Sequence, residues 1–330
     1  MNRNRICIFL LSLCLFLPLF AEEASRTETK SIPFDQDGVL TLSADDGEVE
    51  IEAWDQASIQ LDIIYRAWGS TQAKAETRLD ELRVEVIESR NRVVIKETSY
   101  EKSDNFGLFD ILDSDFWKEK RWSNGQIDFN VKVPEQIKIK LSHDSGPLSI
   151  SGTKGPVHIS ADEGRLTLSD LRTDEIHVEV DEADVLIENA AHSEKGYCRI
   201  DMDEGDIRFD NVEMKSIEVQ CDEGDIFGDQ IMANEFRILS DEGHIDVAFD
   251  PQTDGRYAFN TDEGDIELTL PRSSSVQVKL WTDEGRIQTN TDLIVRRFDD
   301  GEQVEGEIGQ AGGAMLKAST DEGDIRFNVK

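Results

Sequence analysis

The chain is poor in the residues that staple or interrupt a fold. It has four cysteines in 330 residues, and two of them, Cys7 and Cys14, lie near the N-terminus. The remaining pair, Cys198 and Cys221, is too few for a disulfide scaffold. Proline is scarce, at 7 residues, and aromatic residues make up 7%. Beyond Phe20 no apolar run reaches the ~20 residues of a membrane-spanning helix, so no transmembrane segment is expected in the mature chain. Cations are the other shortage: 35 Lys and Arg face 70 Asp and Glu, a net charge of −35. Such a surface repels phosphates, which argues against nucleic acid as a partner, and it favours cations, cationic peptides and basic protein surfaces.

The N-terminus reads as an export signal. Arg3 and Arg5 precede the uncharged, mainly apolar stretch Ile6 to Phe20, and Ala21 precedes Glu22 and Glu23. Residues 1–21 are therefore expected to form a signal peptide cleaved after Ala21. Its loss leaves 33 cations against 70 acids, or −37. The mature protein is expected in the periplasm, at the cell surface or in the medium. Residues 22–33 are polar and read as a disordered linker.

What the chain has in abundance is a repeat. Asp-Glu-Gly recurs at Gly164, Gly205, Gly224, Gly243, Gly264, Gly285 and Gly323, with variants at Gly47, Gly146 and Ala183. From Gly146 onward the intervals are 18, 19, 22, 19, 19, 21, 21 and 38, so one degenerate copy is expected in the last interval, near Gly306. With the copies aligned on this glycine, apolar residues fall at −7, −5, +2 and +4. The +2 column includes Ile207, Ile226, Ile245 and Ile266. Period-2 apolarity on both sides of a glycine means two half-buried strands joined by a corner. Asp favours turn entry, and Gly admits a positive φ. So short a repeat buries its apolar face only by stacking on copies of itself. The expectation is an all-β, parallel solenoid with rungs of about 19–21 residues over 137–330. An antiparallel stack of hairpins closed by the same Asp-Glu-Gly turns is the competing topology. By parity the −3 column points inward, and it drifts from Ala161, Val180, Met202 and Cys221 to Ser240, Thr261, Thr282 and Thr320, a hydroxyl ladder. Cys198 and Cys221 fall in different columns, which predicts buried free thiols.

Residues 34–136 read as a β-rich N-terminal part with one helix over Thr71–Leu82. Ala75, Leu79 and Leu82 share a helical face, and Ser70 is placed to cap it. Two insertions interrupt the pattern. Residues 103–125 carry Phe109, Phe116, Trp117 and Trp122 among acids, either a short helix packed over the end of the stack or a docking segment for a partner. Residues 290–313 are Gly-rich and charged and read as a surface loop.

The order of these segments resembles a known family. Leu40 to Trp54, L-T-L-S-A-D-D-G-E-V-E-I-E-A-W, is similar to the opening of the bacterial "putative adhesin" β-strand-repeat domains of unknown function. The helix after the first strands, the strand ending Val131 to Pro134, and the closing V-E-G-E-I-G and L-K-A-S-T-D-E-G-D-I-R-F segments follow the same order. The resemblance covers residues 33–330 and implies a β-solenoid in the cell envelope. It departs at the corner, where the family usually has Asn-Gly or Ser-Gly.

No catalytic constellation accompanies this scaffold. None of the five histidines makes H-E-x-x-H, and G-x-S-x-G is absent. His158 and His177 share an outward column and read as a surface pair. The expected function is non-enzymatic: an adhesin-like envelope scaffold or binding module for an envelope protein, a cationic peptide or a surface polymer. A polysaccharide-active enzyme is the remote alternative. The nearer alternative is a calcium-binding solenoid. Its ligands would be the corner carboxylates Asp203, Glu204, Asp206, Asp222, Glu223, Asp225, Asp241, Glu242, Asp262, Glu263 and Asp265, whose stacked charges call for a counterion.

Overall fold

The computed structural model describes residues 22–89, 91–98, 125–299, 301–310 and 312–330. The expected signal peptide and nearly all of the aromatic insertion lie outside the described residues. The chain is nearly all β, with one helix among the described residues. The first strands are β1 (Glu22–Pro33), β2 (Val39–Asp46), β3 (Val49–Trp54) and β4 (Ser58–Gly69). They are followed by α1 (Gln72–Leu79), β5 (Arg83–Ser89), β6 (Arg92–Thr98) and β7 (Gly125–Pro134). The repeats follow as β8 (Lys138–Ser151), β9 (Val157–Ser169), β10 (Glu175–Glu188), β11 (Ala191–Glu204), β12 (Ile207–Glu223), β13 (Ile226–Glu242) and β14 (Ile245–Glu263). The last elements are β15 (Ile266–Leu270), β16 (Val276–Glu284), β17 (Ile287–Thr289), β18 (Val295–Phe298), β19 (Gly301–Ile308), β20 (Ala314–Glu322) and β21 (Ile325–Val329). All belong to one sheet, which runs unbroken past the boundary expected at residue 137.

Successive repeats pair with each other in parallel, and like columns meet. Ile207 lies opposite Ile226, Ile226 opposite Ile245, and Ile245 opposite Ile266. The pairing is between copies and not across each glycine, and the columns at −7, −5, +2 and +4 line one continuous apolar core. Within it Phe209, Phe236, Phe249 and Phe259 make edge-on and tilted contacts. Cys198 and Cys221 are buried and free, and burial pushes both thiols up to about 12.

A second corner went unread in the sequence. Six residues past the Gly or Ala corner stand Gly152, Asp170, Asn189, Asn211 and Gln230, all with φ between 53° and 74°. Asn and Asp tolerate this left-handed region better than other side-chain-bearing residues. Asn211 Nδ2 also donates to Asn189 Oδ1 at 2.8 Å, tying two copies together.

Both ends of the stack depart from the repeat. At the start, β6 and β7 each add a parallel strand beyond β2 and β3, after which β5 and β4 pair antiparallel. Residues 22–33 are not a disordered linker: β1 pairs antiparallel with β4 along its whole length, from Glu22 opposite Gly69 to Pro33 opposite Ser58. Its sequence is polar on both faces, and a neighbouring strand's backbone orders it. α1 is shorter than expected and is capped by Thr71, whose side chain accepts from the Lys74 amide. Ala75, Leu79 and Leu82 are buried as expected.

At the other end, the long last interval holds no degenerate rung, and 290–313 is not a simple loop. β18 and β19 form a hairpin, and β19 pairs antiparallel with β16, placing Gly306 opposite Val278. The chain then turns back. β20 pairs with β14 on one side and β16 on the other, and β21 lies between β15 and β17. In space, the copy at Gly323 sits between those at Gly264 and Gly285.

Candidate functional site

The glycine corners form one edge of the stack. At Gly224, φ is +146°, and an added Cβ would lie 1.9 Å from the carbonyl oxygen of Gly205, one copy earlier. The glycine corners therefore approach each other backbone to backbone, with no room for a side chain at Gly224; only the Ala183 corner carries one.

Two columns satisfy the polar groups exposed by this approach. In the −3 column the threonine hydroxyls donate to glycine carbonyls, Thr261 to Gly243 at 3.2 Å, Thr320 to Gly264 at 2.9 Å and Thr282 to Gly323 at 2.9 Å, while Ser240 donates to the Glu242 carbonyl at 3.3 Å. The expected hydroxyl ladder thus has a defined acceptor. At +1, from Asp206 onward, the side chain of one copy accepts from the backbone N–H of the copy stacked on it. Asp225 donates to Asp206 Oδ1 at 3.1 Å, His244 to Asp225 Oδ1 at 2.9 Å, and Asp265 to His244 Nδ1 at 2.9 Å. Asp324 then donates to Asp265 Oδ1 at 2.8 Å, and Arg286 to Asp324 Oδ1 at 2.9 Å. Asp206, Asp225 and Asp265, candidate calcium ligands by sequence, each have one oxygen engaged by backbone.

The −2 and −1 columns have no such partners. Asp203, Glu204, Asp222, Glu223, Asp241, Glu242, Asp262 and Glu263 are all exposed. The glutamates at −1 stand in register, with Glu204 opposite Glu223, Glu223 opposite Glu242, and Glu242 opposite Glu263. None of these eight makes an ion pair with a described residue; the corner's ion pairs involve +1 acids, as in Arg326 with Asp265 at 3.3 Å. The structure thus brings the sequence-assigned carboxylates together on one edge, as two solvent-facing acidic columns beside a hydrogen-bonded one. Beside them, Glu179, Asp181, Asp201, Asp203 and Asp222 border a cleft of about 210 Å³.

At the start of the edge the −2 column is less exposed, and its titration responds. Burial pushes the Asp45 carboxyl up to about 6, with Asp46 adding repulsion and Lys96 opposing it. Burial raises Asp144 to about 7, helped by Asp45, Asp162 and Asp46. Glu97, buried on β6, is also raised by burial and by Asp45, and it accepts from the Asp45 amide at 3.1 Å. Buried His143, in the −3 column next to Asp144, is lowered, chiefly by burial.

Among the described residues, the only convergence of three or more metal-ligand side chains is His177, Glu179 and Asp201. Asp201 is already held by Arg199, at 2.7 and 2.9 Å. His158 and His177 lie side by side, with ring centroids 6.0 Å apart and the rings tilted by 56°. Phe109, Phe116, Trp117 and Trp122 lie outside the described residues.

This arrangement of β-strand repeats from the first strands to the last has a counterpart in a family profile, that of Toastrack DUF4097, which matches residues 40–328. The chain belongs to the Toastrack family. No curated protein matches this Toastrack chain. Solved structures similar to it include a "putative cell adhesion protein" from Clostridium sporogenes, at 12% identity and TM-score 0.28, covering 94% of this chain and 100% of that one. A "putative adhesin" from Bacteroides fragilis has 10% identity and TM-score 0.35, with 92% and 97% coverage. A "putative lipid binding protein" from Parabacteroides distasonis has 12% identity and TM-score 0.36, with 91% and 96% coverage.

Proposed function

We propose that this Toastrack protein is an exported, non-enzymatic β-solenoid that acts in the cell envelope as a binding module, presenting its acidic edge to a cationic partner. The observation that carries the reading is the pair of exposed −2 and −1 columns, Asp203–Glu204 through Asp262–Glu263, which make no ion pair with a described residue. Like charges one strand apart, at about 4.8 Å, repel by about 0.9 kcal/mol per pair in water. A polycationic peptide or basic protein surface relieves that repulsion along the whole edge at once. The test is binding of a lysine-rich peptide with rising salt, in the wild type and in a variant carrying Asp222→Asn, Glu223→Gln, Asp241→Asn and Glu242→Gln. The expected result is salt-sensitive binding that the variant weakens severalfold. Equal binding by both proteins would remove the edge from the function.

Calcium along the same columns is the second reading. It is favoured by the cleft that Asp181, Asp201, Asp203 and Asp222 border beside the edge. Calcium takes six to eight oxygens and is abundant outside cells. Melting temperature in CaCl2 and in NaCl at matched ionic strength, then after EDTA, separates the readings. A rise specific to calcium supports this second one, and identical melting in both salts rejects it.

A further inference from the structure

The outward face of the first repeat strands carries a feature of the opposite sign. Arg92 on β6 and Lys138 on β8 both pair with Val39 on β2, one from each side, and Lys140 pairs with Thr41. The three cations therefore surround one short segment of β2, with Arg92 and Lys138 two strand spacings, or about 9.6 Å, apart. They border an open cavity of about 570 Å³ that extends over β9 and β10. Its floor carries a row of hydroxyls, Ser43 opposite Ser142 and Ser142 opposite Ser160. At its far end His158 Nε2 lies 3.2 Å from Glu175 and His177 Nε2 lies 2.9 Å from Glu179, so the acids there are faced by imidazoles.

The chain has two acids for every Lys or Arg, so three cations gathered around one spot stand out. Lys132 and Lys154, close in sequence to the groove, find Glu52 and Glu135. Arg92, Lys138 and Lys140 make no ion pair with any described residue, and all three border the same cavity. Lys138 and Lys140, two residues apart on one strand, repel each other at about 7 Å, and no described acid forms an ion pair with either. Lysine and arginine both bind phosphate, lysine as a point charge and arginine through a planar fork. Three cations around one spot suit a dianion better than a single carboxylate. The cavity falls in the range of about 300–1,000 Å³ typical of small-molecule sites.

We propose that this groove binds a sugar-sized phosphate ester, its phosphate held by Arg92, Lys138 and Lys140 and its hydroxyls lying along Ser43, Ser142 and Ser160. The site is separate from the acidic edge and stands whether or not that edge binds a cation. The experiment is calorimetric titration of the whole protein with glucose 6-phosphate, inorganic phosphate and glucose, together with co-sedimentation on phosphatidylglycerol vesicles. Glucose 6-phosphate is expected to bind, inorganic phosphate more weakly, and glucose not at all. Lys138→Glu with Lys140→Glu is expected to weaken glucose 6-phosphate at least about tenfold, or 1.4 kcal/mol. Lys138→Gln with Lys140→Gln serves if the reversal fails to fold. Ser142→Ala with Ser160→Ala is expected to weaken glucose 6-phosphate and leave inorganic phosphate unchanged. Asp222→Asn with Glu223→Gln, on the edge, is expected to change neither. Absence of glucose 6-phosphate binding, binding that survives both lysine variants, or binding to vesicles alone would overturn the proposal.

Discussion

Asp45, Glu97 and Asp144 give the start of the acidic edge an inverted pH response. Each has a folded-state pKa above its ordinary value, so between about pH 4 and 7 the native state holds more protons than the unfolded chain. Their contribution to stability is fully present below the unfolded pKa and is lost as pH rises through the folded one. Asp144 moves from 3.8 to about 7. At ~1.4 kcal/mol per unit that is about 4 kcal/mol. Asp144 is half-exposed, and solvent screening roughly halves the figure, to ~2 kcal/mol. The groups facing it are Asp45, Asp46 and Asp162, all of which add repulsion. His143 works in the opposite sense: it is kept neutral by burial, so its stabilisation is lost as pH falls through its lowered pKa. A wild-type curve alone therefore mixes two signs. The perturbation is Asp144→Asn, and the assay is urea denaturation from pH 5 to 7.5 at constant ionic strength. The variant is expected to be more stable than the wild type at pH 7.5, by about 1–2 kcal/mol, and the margin is expected to shrink to less than half of that at pH 5. A difference that does not change with pH, or a variant less stable at pH 7.5, would refute the reasoning.

Other expectations follow from the corners and the core. Gly224→Ala is expected to cost several kcal/mol in denaturant titration, since its Cβ meets the Gly205 carbonyl oxygen at 1.9 Å in a backbone with φ +146°. Ile245→Asp buries an unpaired charge between Ile226 and Ile266 and is expected to cost at least several kcal/mol or abolish folding; a neutral result would mean that the inward and outward faces are exchanged. His244→Ala removes the acceptor for the Asp265 amide and is expected to cost about 1 kcal/mol, while His244→Asn restores an acceptor and should recover most of it, as judged by melting temperature.

The sequence revealed what is periodic and local. Columns such as Ile207, Ile226 and Ile245 could be aligned because a one-residue slip would move every one of them to solvent. The inward hydroxyls Thr261 and Thr320 followed from the same parity. The second corner was missed because its signal is a conformation spread over several residue types, Gly152, Asp170, Asn189 and Gln230, and not one repeated string. The role of Asp206 and Asp225 as backbone acceptors was hidden for another reason: an Asp written beside Asp-Glu-Gly looks like one more surface charge until the next copy's amide is placed against it. β1 was misjudged because pairing, not apolarity, orders it; Ala24 and Ile32 are its only buried residues. The order of the last copies was beyond periodicity altogether. An interval of 38 is compatible with two copies in sequence or with an excursion and a return, and only the pairing of β20 and β21 decides.

That return has a consequence for how the chain reaches its native state. A stack made in chain order can grow as it emerges, each new copy docking on the one before. The copy at Gly285 cannot finish this way, because both of its strands pair with residues that come later, 314–329. Its columns match those of the Gly264 copy: Tyr257 and Val278 both lie opposite Leu316, and Ile266 and Ile287 both lie opposite Ile325. While 314–329 are missing, the two copies are free to zip together directly, in a register as good as the native one. Completing the fold then means reopening that pairing to admit the tail, a barrier of the long-range kind that slows folding. Refolding of the full chain should show a slow phase that disappears when residues 271–313 are deleted and the tail follows the Gly264 copy directly.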